Sequence, residues 1–394
     1  MAKHKILKVR ESVPGQKQGY LHFVRRFDEM AEGLKFTGFT LYDTKEEIVW
    51  INPKAKAGSH DINFYAFNRR DYSELNQILN RIALREAEMR EKGYDLAGLK
   101  SFNRNVWLDL SRNSNAIEGI FEDFDPDLLD FRTKLRGEYA IDPQSEDFEI
   151  FTYFQRLTNQ LDKVAQNNDS VVIEGKNKRH TLSLATVRHF VAFKYIYKCA
   201  KKDMRHSNIS PEDFASIIHY VASLLAGQDF VTFRKMPVGV KGANWVVPNH
   251  EKVDDKISAL CQWVINDKGA KKLHPIEQAA IFAAEFIRIH PFMDGNGRTS
   301  RILTNYIMIK NEMPAIAVRG YQEETKNEYF EAMNKAIETH EVDDLIELFY
   351  NAVLDSAKKI DECLDYIEAK EAAKIEEDSI VPPAGAKKRS HQII

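Results

Sequence analysis

The sequence predicts a mainly α-helical protein that begins with a small α+β region. Three observations carry this prediction. Apolar residues recur at helical spacing over 71–93 and 182–225, and they cover nearly every face of 275–289. Short β-rich runs occur near the N-terminus. A further β-rich stretch, interrupted by Gly and Pro, spans 230–248 between two helical segments and predicts a hairpin.

The N-terminal region, taken as 1–95, is expected to combine a hairpin with one helix. Two β-rich runs, 36–42 and 48–51, flank a polar turn and suggest paired strands. Asp71 and Glu74 are spaced as in a capping box, and the apolar residues that follow share one helical face. This helix is expected to end near residue 93.

The central domain is predicted over 96–355 and a C-terminal segment over 356–394. Acidic and polar stretches within 122–180 suggest a helical insertion with loops, and 182–225 is expected to be helical. The C-terminal segment begins as a helix, and we expect its Pro-containing basic end to be disordered. No internal repeat is evident.

Composition limits the function classes. The chain has 394 residues and a formal net charge of −3, which gives no support for binding to nucleic acid or an acidic membrane surface. The cysteines Cys199, Cys261 and Cys363 lack CxxC spacing, which favours a reducing compartment without structural zinc. No secretory leader and no membrane span are evident, so we expect a cytoplasmic protein.

The most informative stretch is 290–301. The helix over 275–289 should end near His290, because a residue that precedes proline disfavours the α conformation. His290 is therefore expected at a helix-to-loop corner, where an imidazole can act as a general base. Gly295 and Gly297 allow the next turn to approach a ligand closely.

A second helix should begin near Arg298, and its free N–H groups would bind an anion. Arg298 and Arg301 lie three residues apart, so both can emerge on one face beside phosphate oxygens. Asp294 supplies an oxygen ligand of the kind that Mg²⁺ prefers. Taken singly, these features are typical of ordinary turns, but as an ordered set they indicate a phosphate-handling site.

The stretch resembles the Fic motif, HxF-x-[D/E]-GNGR-xx-R, and fills every fixed position of it. The resemblance extends over about 100–350. It implies a helical core and transfer of AMP from ATP to a Ser, Thr or Tyr hydroxyl of a target protein, with release of pyrophosphate. The Doc branch of the family, which phosphorylates its targets, departs from the GNGR pattern that this chain keeps.

The resemblance also assigns roles to the motif residues. His290 is the expected general base, Asp294 the Mg²⁺ ligand, and the two arginines the clamp on the β- and γ-phosphates. Phe292 is expected to anchor the loop in the core. The residues expected to form the anion hole and bind ATP are Asp294, Gly295, Asn296, Gly297, Arg298, Thr299, Ser300 and Arg301. The side chain of Asn296 is expected to contribute to the anion hole together with the backbone N–H groups.

An upstream segment resembles the inhibitory motif [S/T]-xxx-E-[G/N] of the same family, with Ser114, Glu118 and Gly119 at its fixed positions. In such proteins the glutamate sits against the second arginine, here Arg301, and removes the γ-phosphate clamp. The alternative is a plain helix C-terminus with Gly119 in the left-handed conformation. In some members the same glutamate also orients water to remove AMP from the target, and the sequence leaves this role open.

Two further predictions rest on the resemblance. The 230–248 hairpin would be a flap that docks a target segment as an added strand, with Val238, Gly239, Val240 and Lys241 over the nucleotide. The adenine pocket would be formed by Tyr329, Phe330, Met333 and Ile337, which also fit an ordinary core stripe.

Three functional hypotheses remain at this point. The first is a self-inhibited AMP transferase that uses ATP and Mg²⁺. The second is a regulatory module that holds a nucleotide without turnover, and the third is a transferase that uses another nucleotide or a net AMP remover. A homodimer is expected from the resemblance alone.

Overall fold

The computed structural model confirms the predicted mainly helical architecture. The residues that it describes are 5–9, 21–25, 47–51, 64–68, 70–120, 170–174, 179–206, 209–240, 243, 245–267 and 270–380. Within these ranges, no helix is long and apolar enough to cross a membrane.

The strands of the described ranges form antiparallel pairs. These are β1 (Lys5–Val9) with β2 (Leu21–Arg25), β3 (Glu47–Ile51) with β4 (Phe64–Asn68), and β5 (Ser170–Glu174) with β6 (Arg179–Ser183). The strand predicted over 48–51 is confirmed, but its partner is β4, with Ile48 opposite Phe67. The other predicted strand, 36–42, lies outside the described residues.

The helices follow in the order α1 (Ser73–Glu91), α2 (Ala97–Ile117), α3 (Leu184–His206), α4 (Pro211–Ala226), α5 (Val253–Asn266), α6 (Pro275–Ile289), α7 (Asn296–Lys310), α8 (Glu323–Thr339) and α9 (Asp343–Ile380). Helix α7 packs against both α3 and α6. The ring of Phe214 on α4 lies 5.9 Å from Phe282 on α6 and 5.1 Å from Tyr306 on α7. Because α6 is apolar on nearly every face, it is buried along most of its length, as predicted.

The chain divides into two compact units. One holds the described residues of 1–71 and 105–354, and the other holds those of 72–104 and 355–394. In the second unit, α1 and the later part of α9 bury apolar residues such as Ile82 and Leu364 together. Arg85 of that unit pairs with Asp361 at 2.5 Å and with Glu368 at 2.8 Å. Packing thus groups α1 with the later part of the C-terminal helix. The predicted domains follow chain order and stay a prediction; their boundaries are 1–95, 96–355 and 356–394.

Strand β4 is attached to the helical core of the first unit. The Ala66 N–H donates to the His340 carbonyl at 2.7 Å, and the Val342 N–H donates back to the Ala66 carbonyl at 3.1 Å. The Tyr65 hydroxyl donates to the Glu285 carboxylate on α6 at 2.8 Å. Both Tyr65 and Glu285 are buried, so these bonds replace their lost hydration.

Three local predictions need correction. Part of the insertion expected over 122–180 is instead the β5–β6 hairpin, because 171–173 is a run of β-branched residues; 121–169 lies outside the described residues. Helix α1 has Tyr72 at its N-cap and no side-chain cap, so the predicted Asp71 capping box does not form. The described residues between α4 and α5 contain no strand, and the hairpin predicted over 230–248 is an irregular extended segment there.

Candidate active site

His290 lies at the C-terminal corner of α6, as predicted. It is the C-cap residue, with φ 50° and ψ 61° in the left-handed region, which side chains other than Gly seldom adopt. Its N–H still donates to the Phe286 carbonyl at 3.0 Å, and its Nδ1 lies 3.3 Å from the Ile287 carbonyl oxygen. If Nδ1 carries the ring proton and donates to that carbonyl, Nε2 is left as the basic nitrogen.

The surroundings of His290 favour its neutral form. Burial is the largest influence and lowers the pKa of His290 below its ordinary value of 6.5. The Arg234 cation lowers the pKa further, whereas the Ile287 carbonyl, Glu118 and Asp294 oppose the shift. A neutral imidazole near pH 7 is what a general base requires.

The loop after His290 is anchored from both sides. Phe292 is fully buried, as predicted, and its ring centroid lies 5.4 Å from that of Phe233 and 6.5 Å from that of Phe286. The Asn296 side chain closes the turn: its Oδ1 accepts from the Phe292 N–H at 2.9 Å, and its Nδ2 donates to the Phe292 carbonyl at 2.8 Å. These two bonds use only one of the two Nδ2 hydrogens, so the predicted contribution of the Asn296 side chain to an anion hole stays a prediction.

The start of α7 has the backbone features that the predicted anion site requires. Gly295 is the N-cap with φ 77°, a left-handed conformation that suits glycine. The first turn closes when the Thr299 N–H donates to the Gly295 carbonyl at 2.9 Å. The N–H groups of Asn296, Gly297 and Arg298 have no carbonyl partner within the described part of the chain. Free N–H groups and the helix dipole together favour an anion at this point.

Arg301 is hydrogen-bonded to Ser114 on α2 and to Glu118, the residue that follows α2. It is 5% exposed, and its Nε donates to the Ser114 hydroxyl at 2.9 Å. Its Nη2 donates to the Ser114 carbonyl at 2.8 Å and to Glu118 Oε1 at 2.7 Å. Burial by itself would lower the pKa of Arg301, but the Glu118 carboxylate raises it above the ordinary value.

The Glu118 carboxylate also covers the N-terminus of α7. A Cβ atom added to Gly297 would lie 2.4 Å from Glu118 Oε1 and 3.1 Å from Arg301 Nη1. The carboxylate therefore stands where free N–H groups and a guanidinium converge, which is where a phosphate group would bind. Gly119 follows the end of α2 and is left-handed, with φ 83°. The plain helix C-terminus, given above as the alternative, is therefore present together with the Glu118–Arg301 contact.

Buried polar contacts fix the helix that carries Glu118. The Asn115 amide on α2 donates to the Thr186 hydroxyl on α3 at 2.8 Å. His189 Nδ1 lies 3.1 Å from the Ser111 hydroxyl, one turn earlier on α2. Burial is the main reason that the pKa of His189 lies well below its ordinary value, so this histidine is neutral. Our sequence interpretation missed this polar layer, because nothing in the local pattern indicates which helix lies opposite.

Arg298 differs from Arg301 in its contacts. Its Nη2 lies 3.3 Å from Asp294 Oδ2, and the Asp294 side chain is 92% exposed. Within the described ranges, Arg298 Nε is buried without a hydrogen-bond partner. Of the two arginines predicted to share one face, Arg301 is hydrogen-bonded to Ser114 and Glu118. Arg298 still has a donor, its Nε, without a partner among the described residues.

Most of the remaining residues predicted to contact the nucleotide are buried. The Thr299 and Ser300 side chains are both 0% exposed, because that face of α7 is packed in the core. Of the predicted adenine pocket, Tyr329, Met333 and Ile337 are buried, and Phe330 is 40% exposed. The Arg301 guanidinium carbon lies 5.8 Å from the Tyr329 ring centroid, so Tyr329 supports the arginine. The adenine pocket formed by these four residues stays a prediction.

The predicted flap segment runs beside the loop that follows His290, since the Arg234 N–H donates to the Pro291 carbonyl at 2.8 Å. Val238 and Val240 are half-buried and Gly239 is exposed, while Lys241 lies outside the described residues. Arg234, which the sequence interpretation missed, ties this segment to α6 by donating to the His290 carbonyl at 2.7 Å.

The residues present fit Mg²⁺ in combination with a nucleotide. Among the described residues, no group of three or more potential ligands could hold a metal ion unaided. Asp294 is a single exposed carboxylate beside the anion site, and Mg²⁺ is commonly held by one or two carboxylates together with substrate phosphates.

Comparison with known proteins agrees with this geometry. Residues 208–308 match the Fic/DOC family, a range that includes α6, the loop and most of α7. This part of the chain is similar to a Fic domain. Its similarity to a protein adenylyltransferase Fic of Nematostella vectensis is 37% identity over 91 residues, covering 23% of this chain and 20% of the relative. A probable protein adenylyltransferase of Aquifex aeolicus is 25% identical over 228 residues, covering 57% of this chain and 60% of that protein.

Among solved structures, a Fic domain-containing signaling protein from Bacteroides thetaiotaomicron aligns with 74% of this chain and 98% of its own, at 18% identity and a TM-score of 0.47. The chain covers less than two thirds of the length of these two sequence relatives: 20% of the Nematostella protein and 60% of the Aquifex protein.

Proposed function

We propose that the chain transfers AMP from ATP to a hydroxyl side chain of a target protein, and that its own Glu118 restrains this activity. The observation that carries the proposal is the convergence of three groups: a neutral His290, the uncapped start of α7, and the buried Arg301. The names of the relatives, which are protein adenylyltransferases, support the same reaction.

The reaction needs one bond to form and one to break. The target hydroxyl oxygen attacks the α-phosphorus of ATP, the bond to the oxygen that bridges to the β-phosphate breaks, and pyrophosphate leaves. His290 accepts the hydroxyl proton at its free ring nitrogen. The N–H groups at the start of α7 and the Arg298 guanidinium stabilise phosphate charge. Asp294 would hold Mg²⁺, which supplies charge neutralisation on the phosphates.

Glu118 acts as the restraint because it occupies the position that the terminal phosphate requires. Its carboxylate is hydrogen-bonded to Arg301 and lies against Gly297. ATP must then bind with Arg301 engaged elsewhere, so the α-phosphorus is not aligned for attack. The same carboxylate could orient water for AMP removal, and this reverse activity belongs to the same proposal as an outcome to be tested.

The test compares wild type with Glu118→Gly, alone and combined with His290→Ala. Each protein is incubated with a cell lysate and with ATP labelled at the α- or the γ-phosphate. We expect α-label on protein to rise with Glu118→Gly and to disappear when His290→Ala is added. Glu323→Gly, at an exposed glutamate in the first turn of α8, is the matched control and should behave as wild type.

Each alternative has its own outcome. Transfer of γ-label would mean phosphorylation, and labelling from a different nucleoside triphosphate would mean another donor. Loss of AMP from pre-labelled protein by wild type, but not by Glu118→Gly, would identify AMP removal. Tight ATP binding with no label on any protein would favour the non-turnover module and contradict the proposal.

A further inference from the structure

Arg234 is a buried cation whose hydrogen bonds all go to the main chain. It lies in the extended segment between α4 and α5 and is 2% exposed. Its Nε donates to the His290 carbonyl at 2.7 Å, and its Nη2 donates to the Pro248 carbonyl at 2.6 Å and the Ile289 carbonyl at 3.3 Å. Its Nη1 donates to the Met236 carbonyl at 3.2 Å.

The main chain of Arg234 adds a further bond at the same corner. Its N–H donates to the Pro291 carbonyl at 2.8 Å. One residue therefore accounts for three consecutive carbonyls, those of Ile289, His290 and Pro291. These carbonyls lie at the end of α6 and the start of the loop that follows it. The last carbonyl groups of a helix have no partner within the helix, so they need donors from elsewhere.

The charge of Arg234 suits this position. A cation at a helix C-terminus interacts favourably with the helix dipole. Within the described ranges, no salt bridge to a carboxylate involves Arg234, and its side-chain hydrogen bonds go to carbonyl oxygens. Carbonyl oxygens in these directions match the rigid fork of a guanidinium, which a lysine ammonium cannot reproduce.

His290 depends on this corner for its orientation. A histidine with φ 50° stays left-handed when the surroundings hold it there, and Arg234 holds the peptide groups on both sides of it. We propose that Arg234 is a positioning residue for AMP transfer: it fixes the backbone corner of His290, aims the imidazole at the target hydroxyl, and joins the flap segment to that corner. This inference rests on the proposed function.

Arg234 could stabilise α6 without affecting the chemistry, so the test has to separate this purely structural role from the positioning of His290. In a Glu118→Gly background, Arg234→Gln and Arg234→Lys are compared with Lys235→Gln, which removes an exposed charge from the next residue. We expect Arg234→Gln to lower kcat about 100-fold, the size of effect that follows from a misplacement near 1 Å, while the Kd for ATP is unchanged. Arg234→Lys should recover part of this loss, and Lys235→Gln should match the parent.

Thermal melting, with the folded fraction determined for each variant, accompanies these kinetics. If Arg234→Gln does not fold, the decision passes to Arg234→Lys, which keeps the charge but not the fork. A parental kcat in Arg234→Lys would overturn the proposal. So would a fall in kcat that parallels the loss of folded protein or of ATP affinity.

A measurement without substrate keeps this inference distinct from the proposed function. NMR titration of the His290 imidazole needs no AMP transfer. The charged groups that influence His290 are Arg234 from the extended segment, Glu118 directly after α2 and Asp294 from the loop. Loss of Arg234 should raise the pKa of His290, whereas an unchanged titration and ring environment would overturn the positioning role even if the parent transfers AMP. Absence of transfer by the Glu118→Gly parent would instead count against the proposed function.

Discussion

Replacing Glu118 with alanine removes the carboxylate that binds Arg301 and would compete with a phosphate group of ATP for it. The wild-type carboxylate makes a hydrogen bond of 2.7 Å to Arg301, whose side chain is 5% exposed, while the Glu118 side chain is 38% exposed. ATP has to displace this carboxylate before its terminal phosphate can reach the guanidinium. We therefore expect Glu118→Ala to bind ATP more tightly than wild type.

The size of the gain follows from the contact that is lost. A hydrogen bond to a charged group contributes about 1.5–3 kcal/mol to stability. Partial exposure of Glu118 reduces this contribution through solvent screening, to about 1–2 kcal/mol. Freed from this competition, ATP should bind about 5–30-fold more tightly, because each 1.4 kcal/mol corresponds to a factor of ten. Without ATP, the variant should be less stable by a similar amount, since Arg301 loses its carboxylate.

Calorimetric titration with ATP is the assay, with His290→Ala present in every protein to prevent turnover. Glu118→Gln keeps the shape of the side chain but not its charge and should fall between wild type and Glu118→Ala. Glu323→Ala, at an exposed position on α8, serves as the control. Equal ATP affinity in wild type and Glu118→Ala would refute the reasoning, because the carboxylate would then not compete with phosphate.

Three further predictions concern the same site. Phe292→Ala should lower the free energy of unfolding by about 3–5 kcal/mol in a denaturant titration, because the ring is fully buried; a loss below about 1 kcal/mol would contradict the anchoring role. Gly297→Ala places a methyl group against Glu118, so its effect on stability should be non-additive with Glu118→Gln in a double-mutant cycle, and strict additivity would argue against the contact. Because the pKa of His290 is lowered from 6.5, its neutral form persists at lower pH, and kcat of Glu118→Gly should stay level from pH 8 to 7 and decline below pH 6.5. An acid limb above pH 7 would conflict with this assignment.

The parts of the site that could be predicted from sequence are those set by local rules. Apolar residues on nearly every face of 275–289 predict a buried helix, and Pro291 predicts its end at His290. Gly295 and Gly297 predict a tight turn, and Gly295 is left-handed there with φ 77°, although the next helix begins at Asn296 and not near Arg298 as predicted. Each of these features depends on a few neighbouring residues, so no knowledge of the rest of the fold is needed.

Long-range partners could not be derived in the same way. The Glu118–Arg301 contact joins residues 183 positions apart, and the family resemblance suggested it, not the physical pattern. Strand β3 pairs with β4, and this choice depends on pairing that sequence runs do not specify. Arg234 gives no periodic signal in an irregular segment, so its burial is apparent only in three dimensions.

Side chains with more than one chemical use were also ambiguous. The Asn296 amide can bind an anion or close a turn, and the structure uses both of its ends to close the turn. Thr299 and Ser300 lie beside phosphate-binding positions in sequence, but their face of α7 points into the core. Tyr329 illustrates the same limit, because its helical spacing is compatible with both a base pocket and the support of Arg301.

The central claim is that this chain can transfer AMP and that Glu118 restrains the transfer. Intact-mass spectrometry of the purified protein after incubation with ATP and Mg²⁺ tests it most directly. Glu118→Gly should gain the mass of AMP, wild type should gain far less, and Glu118→Gly combined with His290→Ala should gain none. Equal modification of wild type and Glu118→Gly would contradict the restraint, and an adduct that persists without His290 would contradict the proposed chemistry.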